Sequence, residues 1–301
     1  MPGCDGGSVI RHLPGGPVAN HLSTGFFLAV VIACGLLWHL PEAGAETRKA
    51  EDGVRVSAVE KPDHIDLFVV NETPGNVTAT LIVSYANLTG ELFTAETETY
   101  PARTETLAVR LHMADRKSPW RYQSRFHWGW GSLSAAHDHR YPYRLPYRRG
   151  SSYRVIQTYG GAFSHFGDYY HSVDFAMPVG TLVLAAREGL VVATKQDSKT
   201  AGLSEMDRQA GNYVFIQHPD GTVGEYVHLQ YGGTLVEPGQ SVERGMPIGR
   251  SGNTGYSKGP HLHFGITGPL DGKRRRSFPA LFQTGRGLLD RLEEGEVYTA
   301  Q

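Results

Sequence analysis

Short runs in which every second residue is apolar, cut at intervals by glycine, proline, aspartate and asparagine, leave this chain little choice but antiparallel β structure. Ile65, Leu67 and Val69 alternate with polar neighbours, as do Ala79, Leu81, Val83 and Tyr85. The same holds for Leu107, Val109, Leu111 and Met113, and for Tyr122, Ser124, Phe126 and Trp128. Such alternation marks half-buried strands. Turn residues at Pro74-Gly75 and over 87–90 separate the runs. Long helical periodicity is hard to find, and 37 glycines and 17 prolines in 301 residues suit a turn-rich, mainly β protein.

The pattern divides the chain. Over 1–45, Arg11 and His12 precede an apolar run from Phe26 to Leu37, and the small residues around Ala43 and Ala45 supply a cleavage signal. The run is shorter than the roughly 20 residues that cross a bilayer, so a cleaved export signal is expected, with a periplasmic or extracellular destination. A lipoprotein box ending at Cys34 is the less favoured option, because the apolar run continues past that cysteine to Trp38. Both cysteines, Cys4 and Cys34, fall here, so stability beyond this segment cannot rest on disulfides and any metal there needs His, Asp or Glu. Without Arg11, Asp5 and Glu42, totals of 29 basic and 30 acidic side chains fall to 28 each. That balance gives no footprint for nucleic acid.

Residues 46–130 are expected to form a small immunoglobulin-like β-sandwich. Asn71, Asn76 and Asn87 open Asn-x-Thr triplets and read as turn and strand residues. Residues 131–152, with Pro142 and Pro146, read as a linker. His137 and His139 in it are expected to be solvated or docked rather than ligands. A second β domain is expected over 153–270, including a hairpin turned at Asp220-Gly221. A tail over 271–301 follows, with a solvated basic patch at 273–276 and a short helix around Gly287–Glu294.

Residues able to carry chemistry gather in the second domain. The stretch Gly252–Ile266 ends in an apolar strand with His261 and His263 on one face and Leu262 and Phe264 on the other. His165, Asp174 and His228 complete five candidates. A zinc hydrolase needs three His, Asp or Glu ligands, an open position for water and a nearby base, and this set can meet that need. The glycines before His261 lack the order of a phosphate-binding loop and are expected to let backbone approach a substrate. His218 reads as structural, and Tyr213 and Tyr226 as core.

Four ordered blocks, Asp174–Gly189, Gly211–His218, Glu225–Leu229 and Gly259–Phe264, resemble the M23 family of lysostaphin- and LytM-type zinc metallopeptidases over about residues 155–268. The resemblance implies a groove between antiparallel sheets, one Zn2+ on its floor, and hydrolysis of peptidoglycan peptides. It implies Asp174 and His263 as ligands, with His228 and His261 acting on water and the developing oxyanion. The family's His-x-x-x-Asp motif is altered here, since Tyr170 stands four residues before Asp174. His165 and His171 both remain as first ligand. His165 is favoured, because an odd offset along a strand turns His171 away from Asp174. The first domain would position the enzyme or bind a cell-envelope protein. A rival expectation is a non-catalytic module that regulates another wall hydrolase, and a third is a peptidase acting on a secreted protein.

Overall fold

The computed structural model describes residues 53–90 and 96–301. The leader expected over 1–45, with both cysteines, lies outside the described residues. Among the described residues no helix is long and apolar enough to cross a membrane. The architecture is mainly β, with two short 3-10 helices, Gly167–Tyr169 and Glu205–Ala210.

Seven strands form the N-terminal part: β1 (Val54–Glu60), β2 (His64–Asn71), β3 (Val77–Ala86), β4 (Leu88–Thr89), β5 (Glu96–Tyr100), β6 (Thr104–Met113) and β7 (Arg121–Trp130). They make two sheets, β1-β2-β6-β4 and β5-β3-β7. Ile65, Leu67 and Val69 from the first share a buried cluster with Ala79, Leu81, Val83 and Phe126 from the second. The sheets therefore pack face to face. Asn71 is the last residue of β2, its amide donating to the carbonyls of Gly75, Tyr100 and Pro101. The alternation fails at Leu107, which is 44% exposed. Leu67 pairs with Val109 but Phe68 with Leu107, and the extra residue reverses the facing of everything before it.

The remaining strands are β8 (Pro142–Arg144), β9 (Ser152–Gln157), β10 (Val173–Phe175), β11 (Leu182–Leu184), β12 (Gly189–Lys195), β13 (Ala201–Gly202), β14 (Asn212–Gln217) and β15 (Val223–Thr234). After them come β16 (Ser241–Val242), β17 (Pro247–Ser251), β18 (Gly255–Tyr256), β19 (Leu262–Pro269), β20 (Arg275–Ser277), β21 (Leu281–Thr284), β22 (Gly287–Leu289) and β23 (Val297–Thr299). An eleven-stranded sheet runs β16-β12-β14-β15-β19-β10-β9-β23, with β17, β11 and β20 branching from it. Phe175, Tyr226, Leu262, Phe264 and Phe282 fill its core.

Two expectations are corrected. The stretch 131–152 is not merely a linker: β8 pairs parallel with β21, and Tyr143, Leu145 and Tyr147 are fully buried in the second core. Nor is there a helix around Gly287–Glu294. Thr284 Oγ1 accepts from the Arg286 N–H and donates to the Gly287 carbonyl, folding the chain back as the hairpin β21–β22. Leu288 is then exposed while Leu289 packs on the core, as successive strand residues must. The C-terminal segment closes the sheet edge through β23 against β9.

The two parts are docked. The Gly221 carbonyl accepts from the Ser132 N–H, the Asp220 carbonyl from the Ala136 N–H, and Gln217 Oε1 from the Asn76 N–H. Trp130 covers an apolar cluster of Val192, Ala193, Tyr213, Phe215, Val223 and Val227 on the outer face of the large sheet.

Candidate metal centre

Strand register builds the site. In the β10–β19 ladder Asp174 lies directly opposite His263, so both point to one face while Phe175, Leu262 and Phe264 point into the core. His261, two residues earlier, shares that face. His165 arrives from the loop after β9. The 3-10 turn at Gly167–Tyr169 lies within the nine-residue separation from Asp174 and helps return the chain to β10.

His165 Nε2, Asp174 Oδ1 and His263 Nδ1 converge, at 3.1 Å (His165 to Asp174), 2.8 Å (His263 to Asp174) and 3.3 Å (His165 to His263). Two ligands on a tetrahedral zinc, each about 2.0–2.1 Å from it, lie about 3.3 Å apart, so this set of two imidazoles and one carboxylate fits that ion. His171 is turned away, its Nδ1 3.1 Å from the Ser277 carbonyl. Of the two candidates, only His165 belongs to the cluster.

Two of the ligands are held from behind. His165 Nδ1 donates to the Thr158 carbonyl at 2.9 Å, which leaves Nε2 facing the cluster. Gln157, opposite Asp174 in the β9–β10 ladder, donates through Nε2 to Asp174 Oδ2 at 3.1 Å and to Ser164 Oγ at 2.7 Å. Its Oε1 accepts from the Phe163 N–H at 3.1 Å. Burial opposes ionisation of Asp174, but the neighbouring His165 and His263 imidazoles outweigh it and hold the carboxyl well below its ordinary range. Burial lowers the His263 pKa.

His228 reaches the site by a backbone irregularity. Val227 pairs with both Tyr213 and His263, and Leu229 pairs with Asn212, leaving His228 as an extra residue in the β14–β15 ladder. In a regular strand it would share the core-facing side with Tyr226. At φ 66° it swings instead to within 4.5 Å of the His261 ring and 5.9 Å of the His263 ring, centroid to centroid. A non-glycine residue in this region is strained, and such strain gathers at functional sites. His228 Nδ1 donates to the Thr254 carbonyl at 2.6 Å and His261 Nδ1 to the Gly259 carbonyl at 2.8 Å. These bonds select the neutral tautomer with its proton on Nδ1 and its lone pair on Nε2, and His261 Nε2 lies 3.9 Å from Asp174 Oδ2. Burial, then the neighbouring His261 and His263, pushes the His228 pKa down to about 3.

The other candidates fall as follows. His218 is structural, its Nδ1 donating to the Glu188 carbonyl at 2.8 Å. Tyr213 and Tyr226 are buried, and His137 stacks on Phe278 at 4.9 Å. The basic patch is not wholly solvated: Arg275 pairs with the buried Glu225 at 2.7 Å, and Thr267 Oγ1 donates to the same oxygen. The guanidinium also bonds the Tyr169 hydroxyl, and the Tyr169 ring stands 6.0 Å from that of His263. Of the glycines before His261, Gly252 and Gly255 serve packing, since a side chain would meet the Gln230 backbone nitrogen at 2.3 Å and the Gly211 Cα at 2.6 Å, whereas Gly259 faces open space. Phe163, on the His165 loop, stacks on Tyr256, on the His261 loop, at 5.2 Å. Lys258 and Arg208 flank the pair at 3.8 and 4.3 Å. Beneath them His165 is fully buried, and Asp174, His261 and His263 are 5–7% exposed.

Comparison with known proteins agrees with this geometry. The family model "Peptidase family M23" matches residues 168–275. Peptidoglycan DD-endopeptidase ShyA of Vibrio cholerae is 44% identical over 95 residues, covering 32% of this chain and 19% of that protein. Lysostaphin of Staphylococcus simulans is 35% identical over 133 residues, covering 44% of this chain and 24% of that protein. The chain therefore spans about a fifth to a quarter of the length of these relatives. Among solved structures, the lysostaphin catalytic domain from Staphylococcus simulans is 30% identical, with 44% of this chain and 88% of that one covered and a TM-score of 0.29. With the matched segment, the ordered sequence blocks and a ligand triad of His165 beside the register-paired Asp174 and His263, this chain belongs to peptidase family M23.

Proposed function

We propose that the chain is an exported zinc metalloendopeptidase that hydrolyses peptide bonds in the cross-links or stems of peptidoglycan. One observation carries the reading: a three-ligand set and two imidazoles with available Nε2 lone pairs occupy a single buried cluster. When bound, zinc supplies Lewis-acid polarisation of a carbonyl and activation of water at neutral pH. The chain's own residues do the rest. Gln157 and Thr158 fix the orientation of Asp174 and His165. The Thr254 and Gly259 carbonyls hold His228 and His261 in the tautomer whose Nε2 can take a proton and return it to a leaving amine. The low pKa of His228 keeps it neutral at rest, with its Nε2 lone pair available.

The peptidoglycan substrate is carried from relatives such as the endopeptidase ShyA. The seven-stranded N-terminal part is proposed as an immunoglobulin-like unit that orients the peptidase or binds a cell-envelope protein, and the segment 1–45 as its export signal. The test is zinc content by mass spectrometry together with digestion of purified peptidoglycan by wild type and His263→Ala. One zinc per chain and muropeptide release by wild type alone are expected. A zinc-loaded protein that releases nothing would leave the regulatory module as the better reading. Equal release by both proteins would remove His263 from the mechanism.

A further inference from the structure

We infer that the cleft formed by Arg144, Arg149 and Arg244 is a second binding site, separate from the metal centre, for a phosphate-type oxyanion. The cleft has a volume of about 780 Å³ and is lined also by Gln283, Ala300 and Gln301, within the usual range for a small-molecule site of about 300–1,000 Å³. None of these residues belongs to the metal centre.

Charge is the argument. Arg144 lies at the end of β8, partly buried, and its Nε is shut off from water without an acceptor. One of its terminal nitrogens donates to the Tyr147 carbonyl at 3.4 Å. Burial and the nearby Arg244 guanidinium both lower its pKa, so two positive groups share the cleft. Arg244 bonds the Gln283 side-chain oxygen, a neutral partner. Among the described residues no carboxylate lies within ion-pair distance of Arg144, Arg149 or Arg244, although ten other arginines have one. Gly245, at φ 91°, is what admits the Arg144 guanidinium: a side chain there would meet its Nη1 at 2.1 Å.

Guanidiniums gathered in a concave surface, none within ion-pair distance of a carboxylate among the described residues, favour an anion from outside. A phosphoryl group fits, because it offers three acceptor oxygens and a charge of about −1.5 to −2 at neutral pH, and planar guanidinium forks match it. A single carboxylate would offset one of the three guanidiniums, a phosphoryl group up to two. The same chemistry could come from free phosphate or from a phospholipid head group.

The experiment uses the full chain and does not depend on the peptidase reading. Inorganic phosphate is titrated at constant ionic strength against chloride, and sedimentation is measured with vesicles of phosphatidylcholine alone or mixed with phosphatidylglycerol. Wild type, Arg144→Gln/Arg244→Gln and Arg149→Gln are compared. Saturable phosphate binding is expected, weakened about a hundredfold in the double variant and about tenfold in Arg149→Gln, since each lost charge-assisted contact is worth about a factor of ten. Co-sedimentation that needs phosphatidylglycerol and is lost in the double variant would identify the head group as the source, and a response to phosphate alone would identify the free ion. If the double variant fails to fold, the exposed single variants Arg149→Gln and Arg244→Gln are read instead, each expected to weaken binding. Binding that survives these substitutions, as at the metal centre, or the absence of any saturable response, overturns the inference.

Discussion

Gln157→Leu separates a ligand-orienting contact from a merely structural one. Gln157 is 7% exposed, and its three hydrogen bonds join Asp174 Oδ2, Ser164 and the Phe163 N–H at 2.7–3.1 Å. Leucine keeps the bulk and removes all three. The charge-assisted bond to Asp174 is worth about 1.5–3 kcal/mol, and a buried N–H left unpaired costs about 1–3 kcal/mol. Part of that loss is recovered by the apolar side chain, so the zinc-free variant should lose roughly 3 kcal/mol of stability. Freed on its Oδ2 side, Asp174 can rotate away from the position it shares with His165 and His263. Contacts of this kind are worth about 10–100-fold in metal affinity. Competition against a chromophoric chelator gives the zinc affinity, and urea unfolding of the chelated protein gives the stability. A variant less stable by the expected amount but binding zinc as tightly as wild type would refute the orienting role.

Three further outcomes are expected. His228→Gly and His228→Ala should both abolish peptide hydrolysis, but glycine should be the more stable by about 1 kcal/mol in thermal unfolding, because alanine retains the strain at φ 66°. His218 is buried and its pKa is pushed down to about 4 by that burial, whereas unfolded histidine titrates near 6.5. Between those values the unfolded chain binds the extra proton, so stability falls as pH drops from 6.5 to 4, by roughly 3 kcal/mol from this group. Urea unfolding at pH 7 and pH 4.5 should show a smaller difference in His218→Gln. Glu225→Gln, which strips the buried Arg275 of its counter-charge, should cost about 3–5 kcal/mol, and Glu225→Gln/Arg275→Met should regain most of it; equal losses in both would deny the coupling.

Much of the centre is legible in sequence because its parts are local. His261 and His263 alternate with core residues along one strand, and Asp174 lies in an ordered block. His165 is harder, since nine residues separate it from Asp174 and only the returning turn at Gly167–Tyr169 makes them neighbours. His228 shows why periodicity can mislead: counted from Tyr226 it belongs to the core, and only an inserted residue in the ladder brings it out. Gln157 carries no chemical signature, and its role follows from standing opposite Asp174. Arg275 reads as one of a solvated basic run because its acid, Glu225, is 50 residues away in sequence. Leu107 reads as inward because facing depends on a pairing register that a single strand does not contain, and Gly287–Leu289 reads as helix because its hairpin partner β21 lies outside it. The export signal lies outside the described residues and stays a reading of sequence.

The seam beneath Trp130 bears on how the protein can be handled. Val192, Phe215, Val223 and Val227 present an apolar sheet face whose cover comes from the other half of the chain, and a side chain at Gly75 would run into Val192 at 2.3 Å. A peptidase fragment begun after Trp130 would put that face in water, where exposed apolar sheet surface invites self-association. Such a fragment should be recovered as oligomer or aggregate, and replacing Val192 and Val223 with threonine should return it to the monomer.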